Sequence, residues 1–232
     1  MPAIPSILSV FAAPSRKAAR TLLPAFLAAF LLATPGIATA GVDLVLMPPL
    51  TVKPIEPGMD TIIEIELRAI WDGSISDPAC QDPPGGPATG ELFQSIDAII
   101  QWDPTFLQLQ HVDVSTADYA WLFADFFAGD PDGWNTGFPP DNDGTALLQA
   151  GSLDLLTAVG GPGRLAGIIR FKALAATPGT NVSLLNAPAA VNNTDVINCN
   201  FGDITGDISA IAVVRLVECP NVGPDSDSDG FR

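Results

Sequence analysis

Apolar and polar residues alternate along two stretches of this chain, 95–104 and 163–173. Alternate positions hold Ile96, Ala98, Ile100 and Trp102 in the first stretch, and Leu165, Gly167, Ile169, Phe171 and Ala173 in the second. Successive side chains of a β-strand point to opposite faces of its sheet, so each stretch predicts a strand with one face in a core. Proline has no backbone N–H to donate, so Asp103-Pro104 predicts the end of the first strand.

Similar patterns predict strands at 42–47, 61–71, 106–114, 145–151, 181–186 and 206–217, and a weaker one at 188–192. Segments 72–92 and 129–144 are rich in Asp, Pro and Gly and are predicted loops. Aromatic residues spaced three and four apart in 115–127 predict a short helix that plugs one open end of the domain. We therefore predict an all-β fold, a two-sheet antiparallel β-sandwich (jelly-roll) of about nine strands with one short helix. Its predicted core comprises Ile63, Ile65, Leu67, Ile96, Ile100, Trp102, Leu107, Leu109, Leu165, Ile169 and Phe171.

The first 40 residues have the features of an export signal. Basic residues at 16, 17 and 20 precede an apolar run at 22–32, and Ala38-Thr39-Ala40 fits a cleavage site. The apolar run is shorter than the roughly 20 residues that span a bilayer. We therefore predict a signal peptide at 1–40, a sandwich domain at 41–217 and a polar tail at 218–232. The mature protein should be secreted or displayed on the cell surface, with no membrane span.

The chain is strongly acidic, which narrows its partners. Its 232 residues carry a net charge of −16, and removal of residues 1–40 would make this −19, because they contain three of the ten basic residues and none of the 26 acidic ones. Such a surface repels phosphate backbones, so nucleic acid is not a predicted partner. The chain has a single histidine, His111, expected on the Leu107/Leu109 side of its strand as a packed or rim residue, and no nucleophile elbow or zinc-binding helix motif. We predict no enzymatic activity.

The two alternating stretches resemble the bacterial cohesin domain. That family has a strand ending in Tyr-Asp-Pro, then a Leu-rich strand, and later a strand of the form Gly-x-Leu-Ala-x-Ile-x-Phe-Lys; here Trp102 replaces the tyrosine. The resemblance implies a non-catalytic extracellular module that binds a dockerin-like protein. In type I cohesins, polar residues on the outer face of the first strand contact dockerin. The resemblance therefore assigns partner binding to Ser95, Asp97 and Gln101, for which a plain solvated sheet face is the alternative.

A polysaccharide-binding module is the second functional hypothesis, because cohesin-like sandwiches are related to carbohydrate-binding modules. Sugar binding normally requires exposed, coplanar aromatic rings. Trp71 and Trp102 alternate into the predicted core, which leaves Tyr119, Trp121 and Trp134 as candidates. Exposed and aligned rings would favour carbohydrate, whereas buried rings beside a polar sheet would favour a protein partner.

Three cysteines remain in the predicted mature chain. Cys80 and Cys199 lie in long, turn-rich segments that the cohesin pattern does not require, and an oxidising compartment favours disulfides. We therefore predict a Cys80–Cys199 disulfide and an unpaired Cys219.

The acidic tail contains the one predicted cofactor site. Asp225, Asp227 and Asp229, followed by Gly230, match the first half of an EF-hand calcium loop. This half-loop resembles those of dockerin modules and thrombospondin type 3 repeats, which bind calcium. The acidic ligand expected at position 12 of such a loop falls beyond Arg232. A solvated acidic linker is therefore the first interpretation for this sequence, and calcium ligation by the three carboxylates is the prediction for a longer natural protein.

Overall fold

The computed structural model describes residues 41–219 except for 56–58, 130–131, 138–139 and 189. The strands are β1 (Val42–Met47), β2 (Leu50–Ile55), β3 (Ile62–Trp71), β4 (Gln81–Asp82), β5 (Gly90–Gln101), β6 (Leu107–Asp113), β7 (Phe123–Asp125), β8 (Thr145–Val159), β9 (Arg164–Ala173), β10 (Thr177–Leu184), β11 (Asp195–Asn198) and β12 (Ile211–Glu218). In these ranges the only helical segment is a 3₁₀ turn at Pro78–Cys80, and no helix is long and apolar enough to cross a membrane. The predicted signal peptide lies outside the described residues.

The strands form a sandwich of two layers. Hydrogen bonds connect them in the order β2-β12-β10-β5-β8-β3-β9-β6, with β1 beside β3, β4 and β11 beside β5, and β7 beside β8. A single residue pair, Ile70 with Val159, joins β8 to β3. The hydrogen-bonded order of strands therefore divides at this pair into a large sheet that contains β5 and β8 and a small sheet of β1, β3, β9 and β6. Side chains of both sheets pack in one core, where the rings of Trp102 and Phe171 lie 5.6 Å apart.

All eleven predicted core residues are buried, which confirms the register assigned from the alternation. Twelve strands are present in the described ranges rather than about nine, because β2, β4, β7 and β11 were not predicted. The weak strand predicted at 188–192 is wrong, since the chain forms a loop between β10 and β11. The sandwich is not wholly antiparallel, because β2 and β12 are parallel. His111 is exposed and does not lie on the Leu107/Leu109 side of β6 as predicted, because a bulge between Leu109 and His111 reverses the side on which it stands.

The helix predicted at 115–127 is wrong. The segment consists of turns followed by β7, and its backbone groups bond to neighbouring strands instead of to one another: Asp118 N donates to Leu165 O, and Leu122 N donates to Gly151 O. The buried aromatic residues of this segment still cover one end of the core, as Tyr119 and Phe126 belong to the core cluster. Tertiary pairing has therefore overridden a helical spacing of apolar residues.

The predicted disulfide between Cys80 and Cys199 is present, with Cα atoms 5.6 Å apart, and Cys219 is free. It joins the 3₁₀ turn before β4 to the turn after β11. Glu91, a fully buried residue of β5, holds the same loop, because its Oε1 accepts hydrogen bonds from the backbone N–H groups of Ser76 and Asp77 and from the Ser76 hydroxyl. The long loop is thus fastened to the large sheet at two points.

Candidate functional site

The outward side of β5 carries the residues to which partner binding was assigned. Ile96, Ala98 and Ile100 belong to the core, so the intervening Ser95, Asp97, Ile99 and Gln101 point to the outer face of the large sheet. Ser95 and Asp97 are half-buried, and Gln101 is exposed. The predicted orientation of the three residues therefore agrees with the structure, whereas their role in binding stays a prediction.

Two loops, one between β7 and β8 and the other between β10 and β11, divide this outer face at the level of Ile99. Leu147 stands opposite Ile99 on β8, and both side chains are fully buried although neither belongs to the core cluster. The Thr194 hydroxyl accepts from Ile99 N at one edge of the β5–β8 pair. Asn135 bonds to both backbone groups of Leu147 at the other edge. The two loops meet where Asp132 accepts from the N–H groups of residues 191 and 192, which places them over the two buried side chains.

This loop contact separates the predicted site residues into two groups. Ser95 and Asp97 lie together on one side of it. Gln101 lies on the other side, in an open groove of about 670 Å³ that is also lined by Asp143, Thr145 and Ser183. The structure thus brings Ser95 and Asp97 into one site and places Gln101 in a separate polar groove.

Three carboxylates and an amide form a row across the outer face at the level of Asp97. Asp97 on β5 is paired with Gln149 on β8 and with Asp195 on β11, and Gln149 is paired in turn with Asp125 on β7. Strand neighbours in register point to the same face, so these four side chains stand side by side. We call Asp125, Gln149, Asp97 and Asp195 the acidic row.

Two carboxyl groups of the row, Asp97 and Asp195, are partly buried, and burial raises the pKa of both. Loss of solvent raises the pKa of Asp97, and a hydrogen bond with Gln149 partly offsets the effect. Burial, and then the charges of Asp97 and Asp203, raise the pKa of Asp195 to about 7. Asp195 Oδ1 is buried and has no hydrogen-bond partner among the described residues. Like charges directly opposite each other are unfavourable, so a cation placed beside this pair would stabilise its ionised form.

Sequence reasoning did not identify Asp125, Gln149 or Asp195 as site residues. Each belongs to the row through pairing with a strand distant in sequence, and β7 and β11 are too short to show an alternating pattern. The only local signal for these residues in the sequence was the four-residue alternation Asp195-Val196-Ile197-Asn198, which begins with an acidic residue.

The candidate carbohydrate-binding rings do not form a flat platform. Tyr119 is buried, and its ring lies at 56° to that of the half-buried Trp121. The Trp121 indole N–H donates to Ala166 O, and both rings contact Phe93 in the core. Trp134 is half-buried in a separate loop, close to the β8 edge bonded by Asn135. Tyr119 and Trp121 therefore help close one end of the sandwich, and the three rings do not form the exposed, aligned platform that would favour carbohydrate.

The proposed calcium ligands Asp225, Asp227 and Asp229 lie outside the described residues, and calcium binding there stays a prediction. Within the described ranges, no group of three or more acidic, histidine or cysteine side chains is arranged to hold a metal ion.

No family model matches this chain, and no curated protein sequence matches it. Solved structures similar to it include a cohesin module from a family 33 glycoside hydrolase of Clostridium perfringens, at 10% identity over 78% of this chain and 100% of that one, with a TM-score of 0.47. The seventh ScaB type I cohesin of Pseudobacteroides cellulosolvens is 11% identical over 80% of this chain and 98% of that one, with a TM-score of 0.45. A type I cohesin solved in complex with a dockerin from Clostridium thermocellum is 8% identical over 76% and 99%, with a TM-score of 0.42. These three structures are cohesin modules, the family that the two alternating motifs resemble.

Proposed function

We propose that this chain is a non-catalytic extracellular recognition module that binds a dockerin-like protein through the outer face of the large sheet, centred on Asp97. The observation that carries the proposal is the acidic row. Three carboxylates on neighbouring strands, two of them directly opposite each other and partly desolvated, form a surface that is unfavourable by itself. A partner that places Lys or Arg beside Asp97 and Asp195 relieves this repulsion.

The overall charge favours the same class of partner. The whole chain, with a net charge of −16, attracts basic protein surfaces at long range and speeds their association. The four ion pairs among the described residues use Arg68, Arg170 and Lys172, all of them on the small sheet. No ion pair in these ranges involves the acidic row, so none of these cations neutralises its carboxylates.

The dockerin-like identity of the partner and the extracellular location rest on the sequence. The motif before Asp103 and the motif after Gly163 resemble those of the cohesin family, and counting back from Asp103-Pro104 aligns Ser95 and Asp97 with the positions that contact dockerin in type I cohesins. The export signal predicted at 1–40 places the module in the compartment where the disulfide at Cys80 would form.

Capture of a partner from the secreted proteins of the source organism tests the proposal. The baits are the wild-type chain, Asp97→Lys and Glu218→Lys, which makes the same charge change at an exposed site on β12. We expect the wild-type and Glu218→Lys baits to capture the same protein and the Asp97→Lys bait to lose it. Equal recovery on all three baits would place the site elsewhere. Retention on a polysaccharide column that Trp134→Ala abolishes would contradict a protein partner.

A further inference from the structure

A second surface lies beside the acidic row and differs from it in chemistry. Four residues of β8, 152–155, face a single residue of β5, because the register passes from Phe93–Leu156 to Ser95–Gly151. The extra residues protrude from the sheet and expose two leucines, Leu153 at 82% and Leu155 at 46%. Solvent-exposed loops more commonly carry small polar residues than leucine at such positions.

Three further apolar side chains stand around the same point. Phe123 on β7 is paired with Gly151, and its ring lies over that glycine so closely that a Cβ at position 151 would be 2.6 Å from it. Phe127 contacts Phe123 edge to face, with ring centroids 5.8 Å apart, and Leu122 N donates to Gly151 O. All three are exposed, Leu122 at 62%. We call Leu122, Phe123, Phe127, Leu153 and Leu155 the apolar patch.

The apolar patch is continuous with the acidic row. Gly151, at its centre, is the strand neighbour of Ser95, and Phe123 is two residues from Asp125 on the same side of β7. Asp154 lies between the two exposed leucines. Clustered exposed apolar side chains bordered by charged ones are typical of protein interaction sites.

We propose that the apolar patch binds an amphipathic basic helix of the partner, with apolar side chains against the patch and Lys or Arg beside the acidic row and Asp154. This inference rests on the proposed function and names the chemistry of the partner. Neighbouring strands lie about 4.8 Å apart, so two strand spacings amount to about 10 Å, the width of one helix. A helix that presents apolar residues at i, i+3, i+4 and i+7 covers such a surface.

Other occupants fit these observations less well. A second copy of the chain would bring another charge of −16 to an already acidic surface. Addition of a partner strand would have to use β7, which has only three residues. A membrane surface carrying anionic lipids would be repelled by Asp97, Asp125 and Asp154. A basic helix satisfies both the apolar patch and the carboxylates that border it.

Two helical peptides of about 18 residues test the proposal. Both carry leucine at the same i, i+3, i+4 and i+7 positions; one has lysine at the flanking positions and the other has glutamate. Fluorescence anisotropy with the whole chain should show saturable binding of the lysine peptide and at least about tenfold weaker binding of the glutamate peptide. Absence of saturable binding by the lysine peptide, or equal binding of both peptides, would contradict the proposal.

Paired variants locate the peptide on the surface. Leu153→Asp/Leu155→Asp should weaken binding of the lysine peptide at least about tenfold, because it removes both exposed apolar side chains of the protruding β8 segment. Leu50→Asp/Val52→Asp makes the same charge change at two exposed apolar residues of β2; it is the control and should leave affinity unchanged. Equal losses in both double variants would refute the assignment. If a captured natural partner depends on Asp97 and not on the two leucines, the proposed function stands and the apolar patch does not contribute.

Discussion

Neutralising Asp195 should stabilise the protein at high pH and have little effect at low pH. Its carboxyl group has a pKa of about 7 in the folded protein against an ordinary value of 3.8. The folded state therefore retains a proton that the unfolded chain releases, and stability falls as pH rises from about 4 to 7. The pKa difference corresponds to about 4 kcal/mol at 1.36 kcal/mol per pKa unit, which is an upper bound. Asp195 is only half-buried, so screening by solvent reduces the expected gain in Asp195→Asn to about 1–2 kcal/mol.

Thermal melts at pH 4 and pH 8 measure this effect. A gain of about 1–2 kcal/mol raises the Tm of a domain of this size by about 3–6 °C, and we expect that rise at pH 8 only. The control is Asp154→Asn, an exposed carboxylate in the protruding part of β8, which should respond alike at both pH values. A ¹³C NMR titration reports the carboxyl of Asp195 directly. An Asp195 pKa near 4, or an equal Tm change at both pH values, would refute the combination of burial and cross-strand repulsion at Asp195.

Two further predictions concern the fold. Cys80→Ser/Cys199→Ser should cost about 2–5 kcal/mol, because the bond closes a long loop in the unfolded chain; identical urea unfolding curves for the double variant and the oxidised wild type would contradict this. Gly163→Ala should cost about 2–3 kcal/mol, since its φ is +66° and a Cβ would lie 2.5 Å from Ala69 O. Gly129→Ala, with a φ of +76° and open space around the added Cβ, should cost about 1 kcal/mol, and equal costs at the two positions would show that the close approach is unimportant.

The long strands and the core could be predicted because the pattern that identifies them lies in residues close together in the sequence. Alternation over ten residues assigns a face to each side chain, and this placed Ile100, Trp102 and Phe171 in the core correctly. The proline after Asp103 likewise placed the end of β5 within two residues. Both motifs that resemble cohesins lie in strands of this kind, which is why the sandwich could be predicted.

The site could be predicted only in part, because it depends on pairing between distant segments. Asp97 could be placed on an outer face, but Asp195 becomes its neighbour only through the register of β11 on β5. The burial of Ile99 depends on two loops that meet through Asp132, and neither loop has a pattern that indicates where it folds. The aromatic segment was misassigned for a related reason, since its backbone bonds to the edges of β8 and β9. Local spacing carries no information about such edges.

The affinity of a captured, purified partner for charge variants of the outer face tests the central claim most directly. Isothermal titration of the wild type, Asp97→Lys and Glu218→Lys gives three dissociation constants at one salt concentration. We predict that Asp97→Lys weakens binding at least about tenfold, because it places a cation against the partner's own basic group in a desolvated contact. Glu218→Lys should stay within about twofold of the wild type. An Asp97→Lys variant that binds as tightly as Glu218→Lys would contradict a partner site on the acidic row.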